Sequence, residues 1–172
     1  MYYVRKLNNR TNSYKIKEMK KVREIQSDFL RQEMGTQGNT LSFWKCSDLN
    51  DLKDTIKAII LSTTEIKLSE FVLLDSELVK EKGLEIDEEE AGKTGYKGFS
   101  NLHINIKNLT YEKIGDLLDV YKITLDNATK EYVYKKDDIK ELINQVIQDD
   151  LLDEEKVHPD LLKDIYKYCN IE

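Results

Sequence analysis

The chain holds one proline and seven glycines in 172 residues, which excludes long disordered or low-complexity stretches built on those residues. Its longest uninterrupted apolar runs are Ala58–Leu61 and Phe71–Leu74, far short of the roughly 20 residues that a membrane-spanning helix requires. The opening Met-Tyr-Tyr-Val-Arg-Lys has no apolar stretch of the secretory type. Two cysteines, Cys46 and Cys169, stand far apart and read as two buried thiols of a reducing compartment, not as a disulfide. The two histidines, His103 and His158, have no cysteine or histidine at zinc-ligand spacing. These absences lead to the expectation of a soluble cytoplasmic protein with no metal, no cofactor and no membrane contact.

Apolar residues make up 40% of the chain and charged residues 35%, enough for one core under a well-solvated surface. The net charge of −6 is unevenly spread. Residues 1–24 carry eight Lys/Arg against two Glu, and residues 25–172 carry 19 basic against 31 acidic side chains. The ends of the chain therefore present fields of opposite sign, which governs encounters with partners more than it governs fold.

The clearest local pattern lies in residues 40–75. Leu41, Phe43 and Lys45 alternate with Ser42, Trp44 and Cys46, the period of two that marks a strand. Ser47 or Asp48 offers a helix cap, and Leu49, Leu52, Ile56 and Ile59 form an apolar stripe with Lys53, Asp54 and Lys57 on the wet side. Phe71–Leu74 suits a strand covered on both faces. Upstream, Tyr2–Leu7 reads as a strand, Tyr14–Lys17 as a short extended piece and residues 19–34 as a helix ended by Gly35. Downstream, a short helix at Ser76–Lys82, a strand at Leu84–Asp87 and a strand at 102–107 follow, with Thr110 capping a helix through Tyr121. Ile123–Leu125 and Glu131–Tyr134 read as a hairpin or as a continuous helix. Two amphipathic helices close the chain, one after Asp137 or Asp138 and one opened by Pro159. Alternating strands and helices favour an α/β core over residues 1–122 with a mixed, partly parallel sheet, followed by a mostly helical appendage over 123–172. An α+β arrangement with a mixed sheet is the alternative.

Motifs of known chemistry are incomplete. Ala91-Gly92-Lys93-Thr94-Gly95 ends like a phosphate-binding loop, but Asp87 stands where the first glycine belongs and no helix start follows. The reading is a mobile surface loop. Asp87, Glu88, Glu89 and Glu90 are consecutive, so their carboxylates do not converge as a metal site needs; they read as an acidic patch for a basic partner. Cys46 and His103 are the one conceivable nucleophile and base, both on expected strands. Arg5, Lys6, Arg10, Lys15, Lys17, Lys20, Lys21 and Arg23 interleave with Tyr2, Tyr3 and Tyr14, the mixture of cations and rings used on single-stranded nucleic acid, or else a charge-pairing edge. The leading expectation is a non-enzymatic protein that binds another macromolecule, of accessory, immunity or antitoxin type. Nucleic acid held by the basic segment is the alternative, an enzyme without a local motif is the third, and self-association is left open.

Overall fold

The structure is a computed structural model that describes residues 1–8, 16, 18, 25, 27–36, 38–129 and 132–169. Six strands form one sheet: β1 (Tyr2–Leu7), β2 (Leu41–Cys46), β3 (Ser69–Asp75), β4 (Glu85–Asp87), β5 (His103–Lys107) and β6 (Tyr132–Tyr134). Their spatial order is β4-β5-β2-β1-β3-β6 and every neighbouring pair is antiparallel. The expected partly parallel sheet is therefore wrong, and so is the mixed sheet of the alternative, although the overall mixture of helices and strands is of the α+β kind.

The reason lies in β1. The unit β2, helix, β3 is present as the hydrophobic pattern indicates, and β2 and β3 do run in the same direction. They are not neighbours, because β1 lies between them and runs against both. The crossover is split by a strand from the far N-terminal side of the chain, and no local pattern records that insertion.

Helices cover both faces. α1 (Ser27–Glu33), α3 (Ser76–Glu81) and α4 (Tyr111–Asn127) lie on one side, while α2 (Leu52–Ile60), α5 (Lys136–Gln148) and α6 (Pro159–Tyr168) lie on the other. The alternation of the central strands assigns side chains to two cores. Val4, Trp44, Cys46, Phe71 and Leu73 meet α2, α5 and α6; Tyr3, Leu7, Phe43, Leu74 and Ile104 meet α1, α3 and α4. Each fully buried aliphatic or aromatic side chain contributes about 1.5–3 kcal/mol, so both layers are needed. Residues 123–169 complete this arrangement: Ile123–Leu125 sit inside α4, β6 extends the sheet beside β3, and α5 and α6 supply Ile139, Ile143, Leu161 and Ile165 to the first core. None of the described helices is long and apolar enough to cross a membrane. The extended piece expected at Tyr14–Lys17, apart from Ile16, and the first part of the helix expected near 19–34 lie outside the described residues.

Local signals account for several helix ends. The Asp75 carboxylate accepts from Glu77 N, Thr110 Oγ1 from Lys113 N, and Asp138 from Lys135 N, each filling an orphan amide. Pro159 stands in the first turn of α6, where its missing amide hydrogen costs nothing.

The glycine-bearing stretch 91–99 is a packed strap across α2, not a free loop. Thr94 is buried and its hydroxyl donates to Ala58 O at 2.7 Å, while Gly95 N donates to Leu61 O at 3.2 Å. Tyr96 bridges to Leu152 and its hydroxyl donates to Asp54 at 2.9 Å. Lys57, expected to face water, is 8% exposed because the strap lays Tyr96 over it. Glycine here permits close approach: a Cβ on Gly92 would come within 2.6 Å of His103 Cβ, and one on Gly95 would collide with Val157 Cγ2.

Gly115 is the opposite case, since a Cβ there meets nothing within 4 Å and the position is helical. Gly95→Ala should cost about 1–3 kcal/mol by overpacking, and Gly115→Ala should stabilise by about 0.5–1 kcal/mol through helix propensity. Chemical denaturation of the two variants beside the parent checks both signs.

Candidate functional site

The sheet register sorts charge to its two ends. Where β1 begins, β2 and β3 finish, so Asp48 and Asp51 after β2 and Asp75, the last residue of β3, lie at that end. Where β1 finishes, Arg5 and Lys6 lie beside the start of β2 and the turn that leads into β3. From Asn8 the chain continues into the basic segment, whose Arg10, Lys15, Lys17, Lys20, Lys21 and Arg23 lie outside the described residues.

At the acidic end a groove of about 370 Å³ runs along the outer side of β3. β3 is seven residues long, but on the edge away from β1 it pairs with β6 only over Ser69–Phe71, and among the described residues no strand pairs with that edge beyond this point. Tyr2, Ile123, Leu125 and Tyr132 line the groove together with Leu49; Asp75 supplies a carboxylate at the acidic end, and the buried Glu70 lines the far end. Leu49 was expected on the buried stripe of α2; it precedes that helix and is 53% exposed, and Ile123 is 38% exposed. Apolar walls with acidic side chains suit a ligand that is both greasy and cationic.

At the other end a cavity of about 330 Å³ is lined by Lys6, Asn8, Ser42, Trp44, Ile59, Lys67 and the hydroxyl run Ser62-Thr63-Thr64. Lys6 is part-buried and forms no hydrogen bond or ion pair with any described residue. Burial is the main force that pushes its ammonium down to about 8, and the neighbouring Lys67 charge adds to it while Glu65 opposes. Lys67 itself is held by Glu65 at 2.6 Å, an exposed pair of small energetic weight. Ser62 and Thr63 donate to Ile59 O and Ile60 O, whereas the Thr64 hydroxyl has no partner among the described residues. Arg5 is committed elsewhere: its guanidinium donates to Ser42 O at 2.7 Å and Glu33 O at 3.2 Å and lies over Phe43.

The same end holds an adjoining polar cavity of about 590 Å³, sharing Arg5 and Ser42 with the first. Ser42 Oγ donates to Asn105 Oδ1 at 3.1 Å, Asn105 Nδ2 donates to Glu90 at 3.2 Å, and His103 Nδ1 lies 2.9 Å from Glu90 O. Lys93 also lines this space. It follows no phosphate-loop geometry, because a bridge at Tyr96 and not a helix comes after it.

The structure divides the acidic run 87–90 among separate tasks. Asp87 accepts from Glu89 N, Glu88 pairs with Lys45 at 2.8 Å, and Glu90 holds Asn105. The carboxylates do not converge, and among the described residues no group of three or more His, Cys, Asp or Glu is placed to hold a metal. Cys46 and His103 form no hydrogen bond with each other. The Cys46 thiol donates to Asp48 O at 2.8 Å and burial pushes its pKa up, while His103 packs edge-on against Trp44 with ring centres 5.4 Å apart. Comparison with protein-family models, curated proteins and solved structures returns no match for this chain.

Lys6 was grouped with the basic segment by composition. Its position two residues beyond Val4 on a strand was the signal that it faces the core side instead. Because its folded pKa lies below the unfolded value, the unfolded chain binds more protons between pH 8 and 10.5, and stability rises with pH across that window. Lys6→Met, which lacks this penalty, should be more stable than the parent at pH 7, and the gap should close between pH 8 and 10.5. Denaturation midpoints of the pair at several pH values read this out. Cys46 should react with a thiol reagent only as the protein unfolds, with a labelling rate that follows denaturant concentration.

Proposed function

We propose that this protein is a non-enzymatic binding protein of the accessory, immunity or antitoxin kind, and that its partner is a protein with a basic segment carrying apolar side chains. The observation that supports this is the groove beside β3, lined by the exposed Leu49 and Ile123 and by the Asp75 carboxylate at the acidic end. An apolar anchor would fill the groove and exclude water, and cationic neighbours would meet the acidic end, which also speeds encounter. The excess of acidic side chains over residues 25–172 acts in the same direction.

The test is capture of the partner from native extract, with nuclease, by the parent protein and by Ile123→Arg, followed by identification of what is retained. A synthetic peptide taken from the basic segment of the retained protein should compete for binding, and Ile123→Arg should weaken that peptide about tenfold or more, the scale of losing one buried anchor. Retention that nuclease abolishes, a second copy of this chain as the sole retained species, or equal peptide affinity for both proteins would contradict the proposal.

A further inference from the structure

A part-buried ammonium with no hydrogen-bond or ion-pair partner is an energetically poor arrangement unless something absent from the chain completes it. Among the described residues Lys6 is in that position, with the Glu65 carboxylate acting on it through its charge and not as an ion-pair partner. Its surroundings also suit an anion: a second ammonium on Lys67, the Thr64 hydroxyl with no partner among the described residues, and a cavity of about 330 Å³ that all three line. We propose that this cavity binds the phosphate monoester of a small organic molecule, with Lys6 as its central cation.

A phosphate dianion matches two ammonium groups where a single carboxylate would leave one in excess. Lys67 is free to take part because its bond to Glu65 is an exposed pair that costs little to exchange. Thr64 supplies a hydroxyl donor that the backbone does not claim. The remainder of the ligand has room in the adjoining cavity of about 590 Å³, where Ser42, Asn105 and His103 present hydrogen-bonding groups. That lining suits a polar, hydroxyl-bearing body and not a hydrocarbon one. The helix end nearby contributes nothing favourable, since Ser62–Thr64 follow the C-terminus of α2, where the dipole is negative. Binding therefore rests on the side chains, and above all on Lys6. This inference is independent of the groove at the acidic end of the sheet.

The experiment is a calorimetric titration of the full chain with inorganic phosphate and with ribose 5-phosphate, with chloride matching ionic strength throughout. Parallel arms use unphosphorylated ribose and a short single-stranded oligonucleotide. The parent should bind both phosphates and not ribose. Lys6→Met should lose about tenfold or more in affinity, the scale of one charge-assisted hydrogen bond, with a smaller loss in Thr64→Val and partial recovery in Lys6→Arg. The Lys6→Met chain is expected to fold, and its far-ultraviolet circular dichroism confirms this before titration. No heat from either phosphate at matched ionic strength overturns the proposal, as does equal affinity in Lys6→Met. Binding of the oligonucleotide alone, lost in Lys6→Met, would move the site from a small phosphate monoester to a nucleic-acid backbone and overturn the assignment of ligand.

Discussion

The fold depends on the placement of β1 between β2 and β3. Tyr2–Leu7 is hydrogen-bonded along both edges and covered on both faces, with Val4 in one core and Tyr3 and Leu7 in the other. A strand so placed joins the two helical layers and reverses the sense of the sheet at its centre. It turns two strands that the chain connects by a helix into a separated pair. It also fixes the electrostatic layout, because its start is set among the acidic turns after β2 and β3 and its finish carries Arg5 and Lys6 toward the opposite end. Both candidate binding regions are consequences of that one strand's direction.

Long-range pairing of this kind is costly in loop closure, and the residues between β1 and β2 must return the chain to the strand's own edge. Burial on both faces offsets the cost. The strap at 91–99 adds a second long-range tie, from the sheet edge over α2 to the segment before α6, through Thr94, Gly95 and Tyr96. The carboxylate run at its entry belongs to this structural role: Glu88 and Glu90 anchor the strap to Lys45 and Asn105.

Periodicity was sufficient for most of the described elements, though not for Ile123–Leu125, which belong to α4. The alternation in Leu41–Cys46, the apolar run at Phe71–Leu74, the Thr110 cap and Pro159 each mark what the structure contains at those positions. Strand order was not legible, since Tyr2–Leu7 carries no local trace of which strands flank it. The strap was misread because Gly92 and Gly95 look like freedom in one dimension, whereas their lack of a Cβ serves contact with His103, Trp44 and Val157. The groove was hidden for a similar reason: Leu49 fits the helical stripe by spacing but lies ahead of α2. Lys6 was legible in part, as a cation on the same strand face as Val4, but its lack of an ion-pair partner among the described residues was not, because it depends on side chains distant in sequence, with Glu65 committed to Lys67.

Amide hydrogen exchange along β1 tests the central claim most directly. If β1 joins both layers, the amides of Tyr3, Val4 and Arg5 exchange only through global unfolding, with free energies that match the denaturation value and fall together with it in destabilised variants. Exchange of these amides at a lower free energy, while those of β2 and β3 stay protected, would show that the strand can leave the sheet without the rest and would contradict the account.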